Sequence, residues 1–201
     1  TPRANRLHIA IFGKRNAGKS SLINAITGQE IALVSDVAGT TTDPVYKSME
    51  LLPLGPVVFI DTAGIDDQYL LGELRVKKTK EVLEKTDLAL LVFSASDNDF
   101  RVEKEWYQML AEKKIPTIGV VNKIDIHDRD TKDLEKIFHI PFVKVSATSK
   151  IHIDSLKELI RMYAPSDFEK ETIVGDIIRP KDKIVLVAPQ DIQAPKGRLI
   201  L

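Results

Sequence analysis

Short apolar runs alternate along this chain with stretches in which apolar residues recur every three or four positions. The run Leu7-His8-Ile9-Ala10-Ile11-Phe12 stops at Gly13, as a buried strand would. After a loop, Leu22, Ile23 and Ile26 form the apolar stripe of a helix over 19–26, with Gly28 just past its end. Residues 45–52 and 57–60 read as extended segments joined by Pro53-Leu54-Gly55-Pro56, a turn short enough for an antiparallel hairpin. Further strands are expected over 88–95, 117–121 and 142–145, and helices over 74–84, 102–113, 132–138 and 153–163. The alternation predicts an α/β fold: a mostly parallel six-stranded sheet with one antiparallel edge strand and helices on both faces. Pro165-Ser166-Asp167 breaks the alternation, so the reading divides the chain into a domain over 1–165 and a linker with the start of another over 166–201. One more strand is expected there, over 183–187.

The connections after these strands carry the chemistry. Gly13-Lys14-Arg15-Asn16-Ala17-Gly18-Lys19-Ser20 fits G-x-x-x-x-G-K-[ST] between a strand and a helix, the context in which consecutive backbone N–H groups wrap a phosphate chain. Asn16, Ala17, Gly18, Lys19, Ser20 and Ser21 are therefore the expected phosphate cradle. Lys19 would meet the β and γ phosphates, and Ser20 would offer its hydroxyl to Mg²⁺. Asp61-Thr62-Ala63-Gly64 closes another strand, which places the Asp61 carboxylate to hold Mg²⁺ through water and the Gly64 N–H to bond the γ-phosphate. Asn122-Lys123-Ile124-Asp125 follows a third strand. A carboxylate at Asp125 accepts from N1–H and the exocyclic amine of guanine, whereas adenine offers neither donor. Ser146-Ala147-Thr148 would add a backbone N–H toward guanine O6. The four segments together point to GTP and GDP.

Composition narrows the partners. Twenty-nine basic residues balance twenty-nine acidic ones, so no global positive field favours nucleic acid or an anionic membrane. The basic run Arg75, Lys77, Lys78 and Lys80 is read as a solvated helix face and Trp106 as packing. With no cysteine, the residues present form no disulfide and ligate no iron–sulfur cluster. The histidines His8, His127, His139 and His152 show no metal-ligand spacing. No apolar run approaches the roughly 20 residues of a membrane span, and residues 7–12 are too short for a signal core, so a cytoplasmic protein is expected.

Over residues 7–164 the sequence resembles the G domain of the TrmE–Era–EngA group of GTPases. Asn16, Ser20-Ser21-Leu22-Ile23-Asn24 and Gly39-Thr40-Thr41-Thr42-Asp43 carry the likeness. The group's usual string is Gly-Thr-Thr-Arg-Asp, so with Thr42 in place no role of that arginine transfers. Residues 39–45, Gly72-Glu73-Leu74-Arg75-Val76-Lys77-Lys78-Thr79 and Val174-Gly175-Asp176 are most similar to the HydF family, which matures (FeFe) hydrogenase. This resemblance implies a GTPase switch supporting assembly or transfer of the hydrogenase metallocofactor. It also implies a homo-oligomer, with hydrogenase or its maturation proteins as partners. The alternative client is ribosomal or transfer RNA, as in other members of the group. The family carries a dimerisation domain and a cysteine-rich cluster domain after the G domain, so the tail either begins the former or completes the G-domain sheet.

The resemblance also assigns the catalytic set Lys19, Thr41, Gly64 and Glu73. Thr41 would ligate Mg²⁺ when the γ-phosphate is present. Ile65 stands where Ras-like GTPases place the glutamine that orients the attacking water, and an aliphatic side chain makes no hydrogen bond. Slow turnover is expected. Glu73 is either the residue that positions that water through another water or a solvated acid in the first turn of a helix. Asn16 occupies the position at which the group binds K⁺ through an asparagine amide oxygen.

Overall fold

The computed structural model describes residues 6–28, 44–51, 54–62 and 72–165, with the side chains of 72–76 excepted. Six strands and five helices alternate: β1 (Leu7–Phe12), α1 (Lys19–Thr27), β2 (Val45–Leu51), β3 (Gly55–Asp61), α2 (Gly72–Lys85), β4 (Leu88–Ser94), α3 (Arg101–Glu112), β5 (Thr117–Asn122), α4 (Lys132–Phe138), β6 (Phe142–Lys144) and α5 (Ile153–Tyr163). The sheet order is β2-β3-β1-β4-β5-β6. Only β2 runs antiparallel to its neighbour.

The period of two along each strand explains why the sheet is covered on both faces. Leu7, Ile9 and Ile11 of β1, with Leu88, Leu90 and Val92 of β4, join one core with Leu22, Ile23 and Ile26 of α1 and Leu156 and Ile160 of α5. The alternate residues Ala10, Phe12, Ala89, Leu91 and Phe93 join the other, with Val82 of α2, Trp106 and Leu110 of α3, and Leu134 and Phe138 of α4. Trp106 packs there, its ring 4.7 Å from that of Phe12. His8 is tied to Asp87 through its ring and its main chain at the opening of β1.

Among the described residues the expected strands and helices form, and α4 and α5 have the expected bounds. Other ends shift by one or two residues, and one shift changes what the hairpin turn contains. β3 begins at Gly55 rather than Val57, so Gly55 and Pro56 belong to the strand and only residues 52–54 connect it to β2. Proline is tolerated there because the pairing of β3 with β1 starts only at Val57, and opposite Pro56 the strand has a neighbour on one side alone.

Contacts divide the chain into two compact units, Thr1–Lys170 and Glu171–Leu201. The second unit, with the strand expected over 183–187, lies outside the described residues. Among the described residues no helix is long and apolar enough to cross a membrane.

Candidate functional site

The carboxyl ends of β1, β3, β4 and β5 bring the sequence motifs to one edge of the sheet, where open α/β folds bind ligands. From Phe12 the chain turns through residues 13–18 into α1. Gly13 is obligatory at this turn: its φ is 140°, and a Cβ would lie 2.3 Å from the Val92 carbonyl oxygen of β4. Gly18 has φ 91°, and a Cβ there would meet the Asn122 side-chain nitrogen at 2.4 Å. Asn16 is exposed and left-handed at φ 66°, a conformation asparagine tolerates better than most residues. Lys19 is only 4% exposed, and its Nζ donates to the carbonyls of Gly13 at 2.5 Å and Lys14 at 3.0 Å. A buried ammonium held by its own loop stands at the N-terminus of α1, where helix dipole and backbone N–H groups favour an anion.

One helical position on, the Ser20 hydroxyl donates to Oδ2 of buried Asp61 at 2.6 Å. These residues are 41 apart in sequence, and the parallel register of β1 with β3 brings them together. Thr62 secures the end of β3 by donating its hydroxyl to the Ile11 carbonyl at 2.6 Å. A hydroxyl and a carboxylate side by side are the hard oxygen donors that Mg²⁺ takes, and the residues present fit that ion. Ser21 follows, exposed, on the same turn of α1. Thr41, Gly64 and Ile65 lie outside the described residues. The backbone of Glu73 lies in the first turn of α2, and its side chain is outside the description.

The loops expected to read the base meet at Asn122, which is 2% exposed. Its amide nitrogen donates to the Ala17 carbonyl at 3.0 Å. Its oxygen accepts from the main-chain N–H of Lys123 at 2.8 Å and of Ala147 at 3.1 Å. One side chain thereby joins the phosphate loop, the loop after β5 and the loop after β6. Asn122 acts from beneath the site as a buttress. Lys123 has φ 69°, and its stem passes over Gly18, while Asp125 is exposed at the rim. Ser146 exchanges two main-chain hydrogen bonds with Ile151 and accepts at its hydroxyl from Ser149 N–H. With the Ser146 and Ala147 N–H groups so engaged, Thr148 is the exposed member of the trio.

A charged cluster that the sequence reading passed over braces the outer side of the phosphate loop. Lys14 Nζ donates to Asp97 Oδ2 at 2.8 Å and to the Asp99 carbonyl, and lies 3.9 Å from Glu103 Oε2. Burial pushes the Asp97 carboxyl up, but the Lys14 hydrogen bond and the Asp99 and Asn98 amides together hold it below its ordinary value. For Glu103, burial dominates and raises the carboxyl above its ordinary value against its own amide, the Lys14 ammonium and the Lys14 amide. Arg129 donates to the carbonyls of Ala95 and Asp97 and to the Asn98 side chain, with its guanidinium 4.7 Å from the Phe100 ring centre. A pocket of about 260 Å³ opens beside the phosphate loop, lined by Lys14, Arg15, Asn16, Ser96, Asp97 and Lys123 among others. The legible signal for Glu103 was its place on the stripe of Trp106 and Leu110, where an acid falls in a row of buried residues.

Residues 8–123 match the family described as 50S ribosome-binding GTPase, and residues 173–201 match the hydrogen maturase F dimerization domain. GTPase Der of Wolinella succinogenes is 40% identical over 167 residues, covering 78% of this chain and 35% of that protein. The tRNA modification GTPase MnmE of Thermoanaerobacter sp. (strain X514) is 37% identical over 185 residues, covering 90% and 37%. A crystal structure of Era in complex with MgGDPNP and nucleotides 1506–1542 of 16S ribosomal RNA superposes with a TM-score of 0.67 at 28% identity, covering 85% of this chain and 60% of that one. The chain spans about a third of the length of these Der and MnmE relatives.

Proposed function

The chain belongs to the 50S ribosome-binding GTPase family, and from that premise we propose that it is a Mg²⁺-dependent, slowly hydrolysing GTP switch that supports assembly or transfer of the hydrogenase metallocofactor. The observation that carries the switch is the junction of Lys19, Ser20 and Asp61 at one edge of the sheet. The residues 173–201 carry the choice of client, through their match to the hydrogen maturase F dimerization domain. On this reading residues 1–165 form the G domain, and 166–201 form a linker and the beginning of a domain that pairs two copies.

The backbone N–H groups of residues 16–21 hold the phosphate chain, and Lys19 meets the β and γ phosphates. Asp125 selects guanine, Lys123 covers the base, and a main-chain N–H of the 146–148 loop meets O6. Ser20 and Thr41 would hold Mg²⁺ through their hydroxyls and Asp61 through water. The ion would supply positive charge to offset the negative charge of the β and γ phosphates. Gly64 N–H bonds the γ-phosphate, and Glu73 orients the attacking water through another water. The exposed Asn16 amide oxygen would hold K⁺. Turnover should then be faster in K⁺ than in Na⁺ at equal ionic strength, and Asn16→Ala should lose that difference. A wild type indifferent to the cation would remove the K⁺ site.

The test of the client is co-expression of (FeFe)-hydrogenase with the full-length protein carrying either wild-type Lys19 or Lys19→Ala. The proposal expects inactive hydrogenase with the variant. Full hydrogenase activity with a variant shown to have lost GTP binding would refute the role. A second reading, in ribosome assembly or tRNA modification, is favoured by the likeness to Era and MnmE. Under that reading the same variant disturbs ribosomal subunit profiles or tRNA modification and spares hydrogenase.

A further inference from the structure

Asp125 is exposed at the rim, and its carboxylate must be aimed if its oxygens are to serve two donors at once. The loop that carries it is one closed turn, in which the Lys123 carbonyl accepts from the main-chain N–H groups of Ile126 at 3.0 Å and His127 at 3.3 Å. The start of that turn is secured. Lys123 N–H rests on the Asn122 side chain, and Ile124 N–H donates to the Val145 carbonyl at 3.3 Å. At its exit, Asp128 accepts from Lys144 Nζ at 2.6 Å, but the Asp128 side chain is 80% exposed, and a solvated pair of this kind holds little. Arg129 is half-buried and reaches across to the connection between β4 and α3.

Arg129 Nη1 donates there to the Asp97 carbonyl and, at 3.2 Å, to Asn98 Oδ1, with the Ala95 carbonyl at 3.5 Å. The guanidinium carbon lies 4.7 Å from the centre of the Phe100 ring. A planar cation laid on a ring and bonded at its edge keeps one orientation, which a flexible ammonium does not reproduce. The anchor is itself fixed, because the Asp97 carboxylate accepts from Lys14 of the phosphate loop at 2.8 Å. A short turn held at one end swings about that end; held at both, it keeps one aim. We propose that Arg129 is a positioning residue for guanine selection: by pinning the exit of the 123–127 turn to residues 95–100, it holds the Asp125 carboxylate in line with the N1–H and the exocyclic amine of the base. The inference rests on the reading of Asp125 as the residue that selects guanine. Arg129 acts through the turn and not on the base.

Inosine triphosphate keeps N1–H and lacks the exocyclic amine, so the ratio of GTP to inosine triphosphate affinity reads how well the carboxylate meets that amine. Dissociation constants for both nucleotides are measured on the full-length protein as wild type, Arg129→Lys and Arg129→Met, with the thermal midpoint without nucleotide. Arg129→Lys keeps the charge and gives up the planar fork, whereas Arg129→Met keeps an apolar stem over Phe100 and gives up the donors. Wild type should prefer GTP by about tenfold, the worth of one hydrogen bond to a carboxylate. Both variants should bind GTP about tenfold more weakly and inosine triphosphate about twofold, so that most of the preference is lost. Equal loss for the two nucleotides, whatever the midpoint, is what a merely structural side chain gives, and it overturns the inference. An Arg129→Lys variant with the wild-type preference also overturns it, by showing that charge alone suffices. Where an Arg129 variant does not fold, Asn98→Ala removes an acceptor of the guanidinium from an exposed position, and the preference should fall about twofold. An unchanged preference in that variant overturns the inference as well. Failure of the base reading is distinguishable, because Asp125→Asn would then leave the preference for GTP over xanthosine triphosphate as in wild type.

Discussion

The phosphate loop and the base-reading loops sit on the same edge of one sheet, yet they are held by opposite means. Residues 13–19 bind each other, with Lys19 on the Gly13 and Lys14 carbonyls, Ala17 on Lys14, and glycines where any Cβ would collide. The loops after β5 and β6 depend on a single side chain, the amide of Asn122, which also reaches back to Ala17. On the proposed reading, recognition of phosphate is a property of main-chain shape, and recognition of the base is a property of a few side chains that one buried residue keeps in register. A region built from backbone tolerates loss of one support. A region hung from one residue does not.

The comparison can be broken first at Lys19. Lys19→Ala removes the cation from the phosphate side while leaving Asn122 in place, and GTP affinity should fall by about 4 kcal/mol, near a thousandfold. Titration with a fluorescent GTP analogue measures it. Asn122→Ala should act on both regions together. Three hydrogen bonds disappear, and two buried partners and a half-buried one lose their mate, so a loss of about 3 kcal/mol of stability is expected, read by urea denaturation, with weaker GTP binding alongside. A variant that lost base selectivity but kept full stability would show that Asn122 contacts nucleotide rather than bracing loops.

The contrast sharpens with Asp125→Asn, confined to the base side. The amide can donate to the O2 carbonyl of xanthine in place of accepting from the guanine amine, so xanthosine triphosphate should gain over GTP by about 2 kcal/mol in competition binding. Inorganic pyrophosphate, which engages only the loop, should compete equally well with wild type and variant. The smallest effect belongs to the brace outside the loop. Asp97→Asn should cost under about 1 kcal/mol, since the Lys14–Asp97 pair is partly solvated. Because the carboxyl is held below its ordinary value of 3.8, the pair's contribution is present above that pH and fades as pH falls through the lowered value. The stabilities of wild type and variant should therefore converge in acid, by thermal denaturation across a pH series.

The same contrast decides what could be read from sequence. A phosphate cradle is built of consecutive main-chain groups, so residues 13–20 announce themselves as one contiguous string. The bounds of α4 and α5 were equally legible, because Leu134 and Phe138, and Leu156 and Ile160, mark one buried face in each. Glu103 was legible only through the stripe of Trp106 and Leu110, since an acid in a first turn otherwise reads as solvated. The buttress at Asn122 was visible only as part of a base motif: its partners Ala17 and Ala147 are brought to it by tertiary pairing. Gly55 and Pro56 looked like a turn because sequence does not tell how many neighbours a strand has at its first residues.

The strand order has a consequence for the making of the protein. β1 is synthesised first among these strands but lies between β3 and β4, so its partners begin only at Gly55 and Leu88. Of the strand pairs, only β2 with β3 can close by a short local turn, and the parallel pairings must wait for distant segments, which is slow in folding. The Ala17 carbonyl gains its amide partner later still, once Asn122 has left the ribosome. The earliest-written motif is therefore among the last to become a binding site. GTP capture by a growing chain would time the completion of β5, and until then the apolar residues of β1 are a surface for chaperones to cover.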